Sequence, residues 1–197
     1  MNHSHLPCPA RKLEFVLYAK DAVNPATKFP NFELNLNAGP DEYHVTFNFG
    51  EQAGHWFLLD IAMARDLGVK IGGGEGSDLK DIFPEPKREW VVDGIAESIR
   101  WYKEALTNET NVGTTFGERE KKRQLVDAVL NACRGWRWTM TGNWGSKVEG
   151  GEWAVGLKDL PPVEQALALR NTGNGSLGKQ QVVAFLEFVE GQVSGRK

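Results

Sequence analysis

Three stretches in the first fifty residues switch between apolar and polar side chains at nearly every step. Phe32-Glu33-Leu34-Asn35-Leu36-Asn37 and Tyr43-His44-Val45-Thr46-Phe47-Asn48-Phe49 alternate strictly, and Leu13-Glu14-Phe15-Val16-Leu17-Tyr18 reads as a third strand. A period of two predicts strands with one face buried and one face wet. Ala38-Gly39-Pro40-Asp41 is a turn by composition, so residues 31–49 read as a hairpin. From Gly54 to Gly68 the period changes. Trp56, Leu59, Met63 and Leu67 fall three and four apart, one helical stripe with Gly68 as its C-cap. A strand over 56–61 stays open as the alternative, because that run is apolar on both faces. Residues 71–78, with Pro84 and Pro86 beyond them, break the pattern and read as a linker.

The middle of the chain is helical by spacing. Trp90, Ile95, Ile99, Tyr102 and Leu106 mark one amphipathic helix over 88–106. Thr115-Phe116-Gly117-Glu118 has capping-box spacing ahead of a second, 116–133, with Leu125, Val126, Val129 and Cys133 on its apolar side. The charges from Glu118 to Arg123 mix both signs, which suits a solvated helix face. After Gly135 alternation returns. Trp136-Arg137-Trp138-Thr139-Met140, Trp153-Ala154-Val155-Gly156-Leu157 and Ala166-Leu167-Ala168-Leu169 read as strands. Ser176 then caps a helix with Val182, Val183, Phe185, Leu186 and Val189 inside and Gly191 at its end.

Phe32, Leu34, Leu36 and Pro40 match Trp153, Val155, Leu157 and Pro161 at constant offset. The pattern strand-strand-strand-helix thus occurs twice, with a helical pair between. The expected fold class is α+β: two antiparallel meander-plus-helix units, related as a pseudo-repeat, around that pair. The expected organisation is a flexible tail over 1–11 and one compact domain over 12–197. That domain divides into a first block 12–70, a Gly/Pro linker 71–87, the helical pair 88–133 and a second block 134–192. In order of elements the doubled units resemble the layout of the Whirly and PUR-repeat single-strand-binding families, without a diagnostic motif of either.

Composition narrows the classes. The chain has 197 residues, 41% hydrophobic and 25% charged, and a formal net charge of -3. Disordered, collagen-like and disulfide-scaffold chains are excluded, and so is a globally basic nucleic-acid binder. A local basic face is not. No apolar run is long enough to span a membrane, and the segment Met1–Pro9 lacks a signal peptide's apolar core. With only Cys8 and Cys133, an intracellular, cytoplasmic setting is expected.

Three constellations carry candidate chemistry. Gly173-Asn174-Gly175-Ser176-Leu177-Gly178-Lys179-Gln180 fits G-x-x-x-x-G-K. Gln180 cannot supply the hydroxyl that ligates Mg²⁺, and only 17 residues follow it. The reading is a Gly-rich strand-to-helix turn, with Gly175, Ser176, Gly178 and Lys179 as a non-catalytic anion-binding turn. Second, Trp136, Trp138, Trp144 and Trp153 lie among Arg134, Arg137 and Lys147. Exposed on a sheet, such residues stack unpaired bases; the same spacing also suits core tryptophans. Third, Glu51, His55 and Asp60, with His44, lack a further convergent group, and His3, His5 and Cys8 sit in the tail. No zincin motif, nucleophile elbow or dinucleotide fingerprint occurs, so neither metal nor cofactor is expected.

The functional expectation is therefore a non-enzymatic protein that binds single-stranded nucleic acid through Arg134, Trp136, Arg137, Trp138, Trp144, Lys147 and Lys179. The alternative is a protein-interaction or regulatory module, with exposed sheet edges pairing into a homodimer. An enzyme of unrecognised class stands third.

Overall fold

The computed structural model describes residues 13–38, 43–47, 54–71, 78–108 and 118–196. The tail 1–11, the residues 39–42, Glu51, the glycine run 72–76 and the segment Thr115–Gly117 lie outside the described residues. Backbone contacts divide the chain into two compact units, Met1–Arg65 with Lys70–Pro86, and Asp66–Val69 with Lys87–Lys197.

The first unit holds the strands β1 (Leu13–Leu17), β2 (Leu34–Ala38) and β3 (Tyr43–Phe47) as one antiparallel sheet in the order β1-β2-β3. Phe15 lies opposite Leu36, and Leu36 opposite Val45. Because side chains alternate across a strand, this register gathers Leu13, Phe15, Leu17, Leu34, Leu36, Ala38, Val45 and Phe47 on one face. Glu14, Val16, Asn35, Asn37, His44 and Thr46 take the other. The apolar face is only partly covered: Leu13, Phe15, Leu17 and Phe47 remain 43%, 47%, 49% and 53% exposed. The unit also holds α1 (Lys20–Val23), most of α2 (His55–Leu67) and α3 (Leu79–Ile82). Phe57 of α2 packs on Phe32 at 4.4 Å and edge-on against Tyr18. Asn24 Nδ2 donates to the Asp81 carbonyl.

The second unit is a bundle of α4 (Arg88–Thr107), α5 (Glu118–Thr141), α6 (Lys147–Leu157), α7 (Pro161–Thr172) and α8 (Lys179–Ser194). Helix α5 is its axis and touches the other four. Val91, Val92, Val129, Leu130, Cys133, Ala154, Val163, Val182, Leu186, Val189 and Val193 are fully or almost fully buried. Close approach of α5 and α6 depends on Gly150. A Cβ there would lie 2.8 Å from the backbone N and Cα of Arg134.

The α+β class is as expected, as are the three strands of the first block and the helices α2 and α4. The second meander is not. Trp136–Met140 belongs to the last turns of a longer α5, Trp153–Leu157 to α6, and Ala166–Leu169 to α7. Among the described residues, 134–192 contain no strand, so the strand-strand-strand-helix echo is not realised. The physical reason is local. Ser146-Lys147-Val148-Glu149 closes a capping box: Ser146 Oγ accepts from Glu149 N–H at 3.1 Å, and the Glu149 carboxylate accepts from Ser146 N–H at 2.6 Å. Pro161 and Pro162 sit at the start of α7, where their missing N–H groups cost nothing. Gly173, at φ 74°, ends that helix in the left-handed region. Alternation at Trp136–Met140 arises because α5 is surrounded and buries residues on more than one side. Helix α8 is capped at Gly178 rather than Ser176, and runs past Gly191 to Ser194.

Candidate functional site

The polar groups of the bundle concentrate on one stripe of α5. Arg123, Asp127, Asn131 and Arg134 follow at intervals of four, four and three, and so share a face. Asp127 is the centre. Its Oδ1 accepts from Lys147 Nζ at 2.7 Å and lies 3.7 Å from Arg170 Nη1, and its Oδ2 is 3.8 Å from Arg123 Nε. The Ser146 cap starts α6 at Lys147, and Arg170 stands in the last turn of α7. Three helices thus deliver three cations to one carboxylate, an excess of two positive charges. The cluster is neither sealed nor fully wet: Asp127 is 21% exposed, Lys147 27% and Arg170 41%. Further along the stripe, Asn131 Nδ2 donates to the Tyr102 hydroxyl at 2.9 Å, and Arg134 donates to Asn131 Oδ1 at 2.8 Å. In half-screened surroundings such an excess attracts an anion more strongly than separate surface charges do.

A second cation lies at the α5–α6 corner. The Arg137 guanidinium crosses Gly145 so closely that a Cβ at 145 would collide with Nη1. That nitrogen is buried and has no hydrogen-bond partner among the described residues. Glu149 is close by; hydrogen bonds from Ser146 hold its carboxyl below the usual glutamate range, and Arg137 adds to the effect. Trp138 and Trp144 stack at 5.2 Å. The Arg88 guanidinium covers Trp138 at 5.2 Å and donates to the Thr139 carbonyl.

The aromatic platform is absent. Trp136, Trp138 and Trp144 are buried to 5%, 9% and 7% exposure. Trp153, half-buried, packs edge-on against Trp136, which also meets Phe188 edge-on. These indoles lie on helices and in a loop, with Trp136 and Trp138 two residues apart on α5, so no sheet face presents them. Of the basic residues, Lys147 reaches Asp127, Arg134 reaches Asn131 and Arg137 crosses Gly145. Lys179 is the exposed first residue of α8. The turn Gly175, Ser176, Gly178, Lys179 joins two helices rather than a strand and a helix, and Gly178 N–H already donates to Gln181 Oε1 at 3.1 Å. His44 shares a hydrogen bond with Thr46. The sequence reading takes Arg123 as part of a solvated helix face and singles out neither Asp127 nor Arg170. Their one local sign is the Arg123–Asp127 spacing of four, which is common on solvated helices.

In the first unit, burial and, secondarily, the Asp60 carboxylate push the Tyr18 phenol up; its hydroxyl has no hydrogen-bond partner among the described residues. Burial likewise raises the Cys133 thiol and keeps it protonated and unreactive. Among the described residues no three His, Cys, Asp or Glu side chains gather to hold a metal ion. Nor is any described helix long and apolar enough to cross a membrane.

No family model and no curated protein matches the sequence. Among solved structures the chain is similar to spectinomycin adenyltransferase AAD(9) from Enterococcus faecialis, solved with ATP and spectinomycin. The TM-score is 0.63 at 14% identity, over 97% of this chain and 72% of that one. At that identity the likeness establishes the fold. It also corrects the expectation of a non-enzymatic module, because the fold is shared with an adenyltransferase solved with ATP and spectinomycin. Burial of Trp136, Trp138 and Trp144 independently removes the stacking face that the nucleic-acid reading needed.

Proposed function

We propose that this protein is a nucleotidyltransferase, moving a nucleotidyl group from a nucleoside triphosphate to a hydroxyl of a small polar acceptor. The observation that carries the reading is the likeness to the spectinomycin adenyltransferase over 97% of the chain. The surplus of positive charge around Asp127 supports it, because a triphosphate is the densest anion such an enzyme handles. In the reaction an acceptor oxygen attacks the α-phosphorus. The new O–P bond forms as the bridging bond to the β-phosphate breaks, pyrophosphate leaves, and the acceptor loses its proton. Lys147, Arg170 and Arg123 are suited to bind and orient the phosphate chain and to stabilise the charge that builds on departing pyrophosphate.

The test is direct. The purified protein is incubated with ATP, Mg²⁺ and a panel of hydroxylated small molecules, with spectinomycin as the first acceptor. Expected are pyrophosphate release that depends on acceptor, and an acceptor product heavier by one nucleotidyl group in mass spectrometry. Failure with every nucleoside triphosphate and every acceptor class overturns the reading.

A further inference from the structure

Resting on that reading, we propose that Asp127 is a positioning residue: its carboxylate is a resident anion that holds Lys147, Arg170 and Arg123 in register for a polyphosphate chain. The three cations come from α6, α7 and α5 on long side chains that otherwise spread apart, both from mutual repulsion and for rotamer freedom. Asp127 is what they have in common. Its hold leaves most of their donors unspent. Lys147 gives it one of three N–H groups, at 2.7 Å, while Arg170 and Arg123 stand at 3.7 and 3.8 Å, attracted but beyond hydrogen-bond reach. The same donors can therefore meet phosphate oxygens while Asp127 stays in place. Access comes from the solvent side, where Arg170 is 41% and Arg123 64% exposed. Ordering the cations beforehand removes a cost that binding would otherwise carry.

This assignment makes a prediction opposite in sign to simple electrostatics. If Asp127 merely neutralised charge, Asp127→Asn would leave the patch more positive and tighten anion binding. As a positioning residue its loss weakens binding. The probe is inorganic tripolyphosphate, titrated calorimetrically against the full chain at two salt concentrations, with melting temperature recorded for each variant. Expected for the unaltered protein is binding that weakens steeply with salt. Asp127→Asn should bind about tenfold more weakly, and Lys147→Ala should weaken binding while largely abolishing any further effect of Asp127→Asn. Should Asp127→Asn not fold, Asp127→Glu keeps the charge but moves the carboxylate by one methylene, and the same weakening is expected. Unchanged or tighter binding by a folded variant at position 127, or no binding by the unaltered protein, overturns the proposal. The outcomes also separate it from the reading it rests on. Tripolyphosphate binding of the expected pattern without nucleotidyl transfer to any acceptor keeps Asp127's role and removes the enzyme. Transfer whose KM for ATP is untouched by Asp127→Asn does the reverse.

Discussion

Leu17 on β1 and Leu186 on α8 are the same side chain in two settings. The first is 49% exposed and the second 0%. The sheet collects its apolar residues on one face by register, but in three strands that face is a single layer, and its residues stay half open. The bundle wraps α5 with four other helices, so apolar groups on several sides of one helix are sealed at once. The contrast shows what each pattern can accomplish. Strict alternation guarantees sidedness, whereas enclosure needs a second layer.

The comparison is broken most severely at Leu186. Leu186→Ala should cost about 2–5 kcal/mol in chemical denaturation, the range for emptying a packed core position. Tryptophan emission reads this well, because six of the seven tryptophans lie in the bundle unit. Gly150→Ala is expected next, at about 1–3 kcal/mol, because its methyl meets the Arg134 backbone rather than a side chain that can swing aside. Ser146→Ala should cost about 1 kcal/mol by removing the cap of α6. The same cap has a pH signature. Glu149 has a lowered folded-state pKa, so its contribution is fully present above the usual glutamate pKa and is lost as pH falls through the folded value. Glu149→Gln should flatten the acid side of the melting curve, and an unaltered acid limb would show that the carboxylate is not the responsible group. The smallest effect belongs to Leu17→Ala, below about 1 kcal/mol, since half of that side chain is already in water. A cost matching that of Leu186→Ala would mean the sheet face is enclosed.

The first strands and the helix α4 could be read directly, because Phe32–Asn37 and Trp90–Leu106 each hold a single period from end to end. Trp136–Met140 misled because a helix packed on several sides buries Trp136 and Trp138 together, so a five-residue window shows alternation by accident. The corrective signs were short and chemical: Ser146 with Glu149, and the pair Pro161-Pro162. Both mark helix starts whatever the hydropathy. The site was less legible. Lys147, Arg134 and Arg137 were visible as basic residues near tryptophans, but what Lys147 pairs with was not. Asp127 lies twenty residues away, and an acid on an amphipathic helix looks like any solvated charge until three helices converge on it.

Helix α8 packs against both α4 and α5, and this sets an order of events at the ribosome. Helix α4 is complete at Thr107, while α8 starts at Lys179. At about 5–20 residues per second, α4 waits on the order of 4–14 s for its cover. During that interval α4 lacks the helix whose Glu190 pairs with Arg100 and Lys103, and the nascent chain is a ready client for a chaperone.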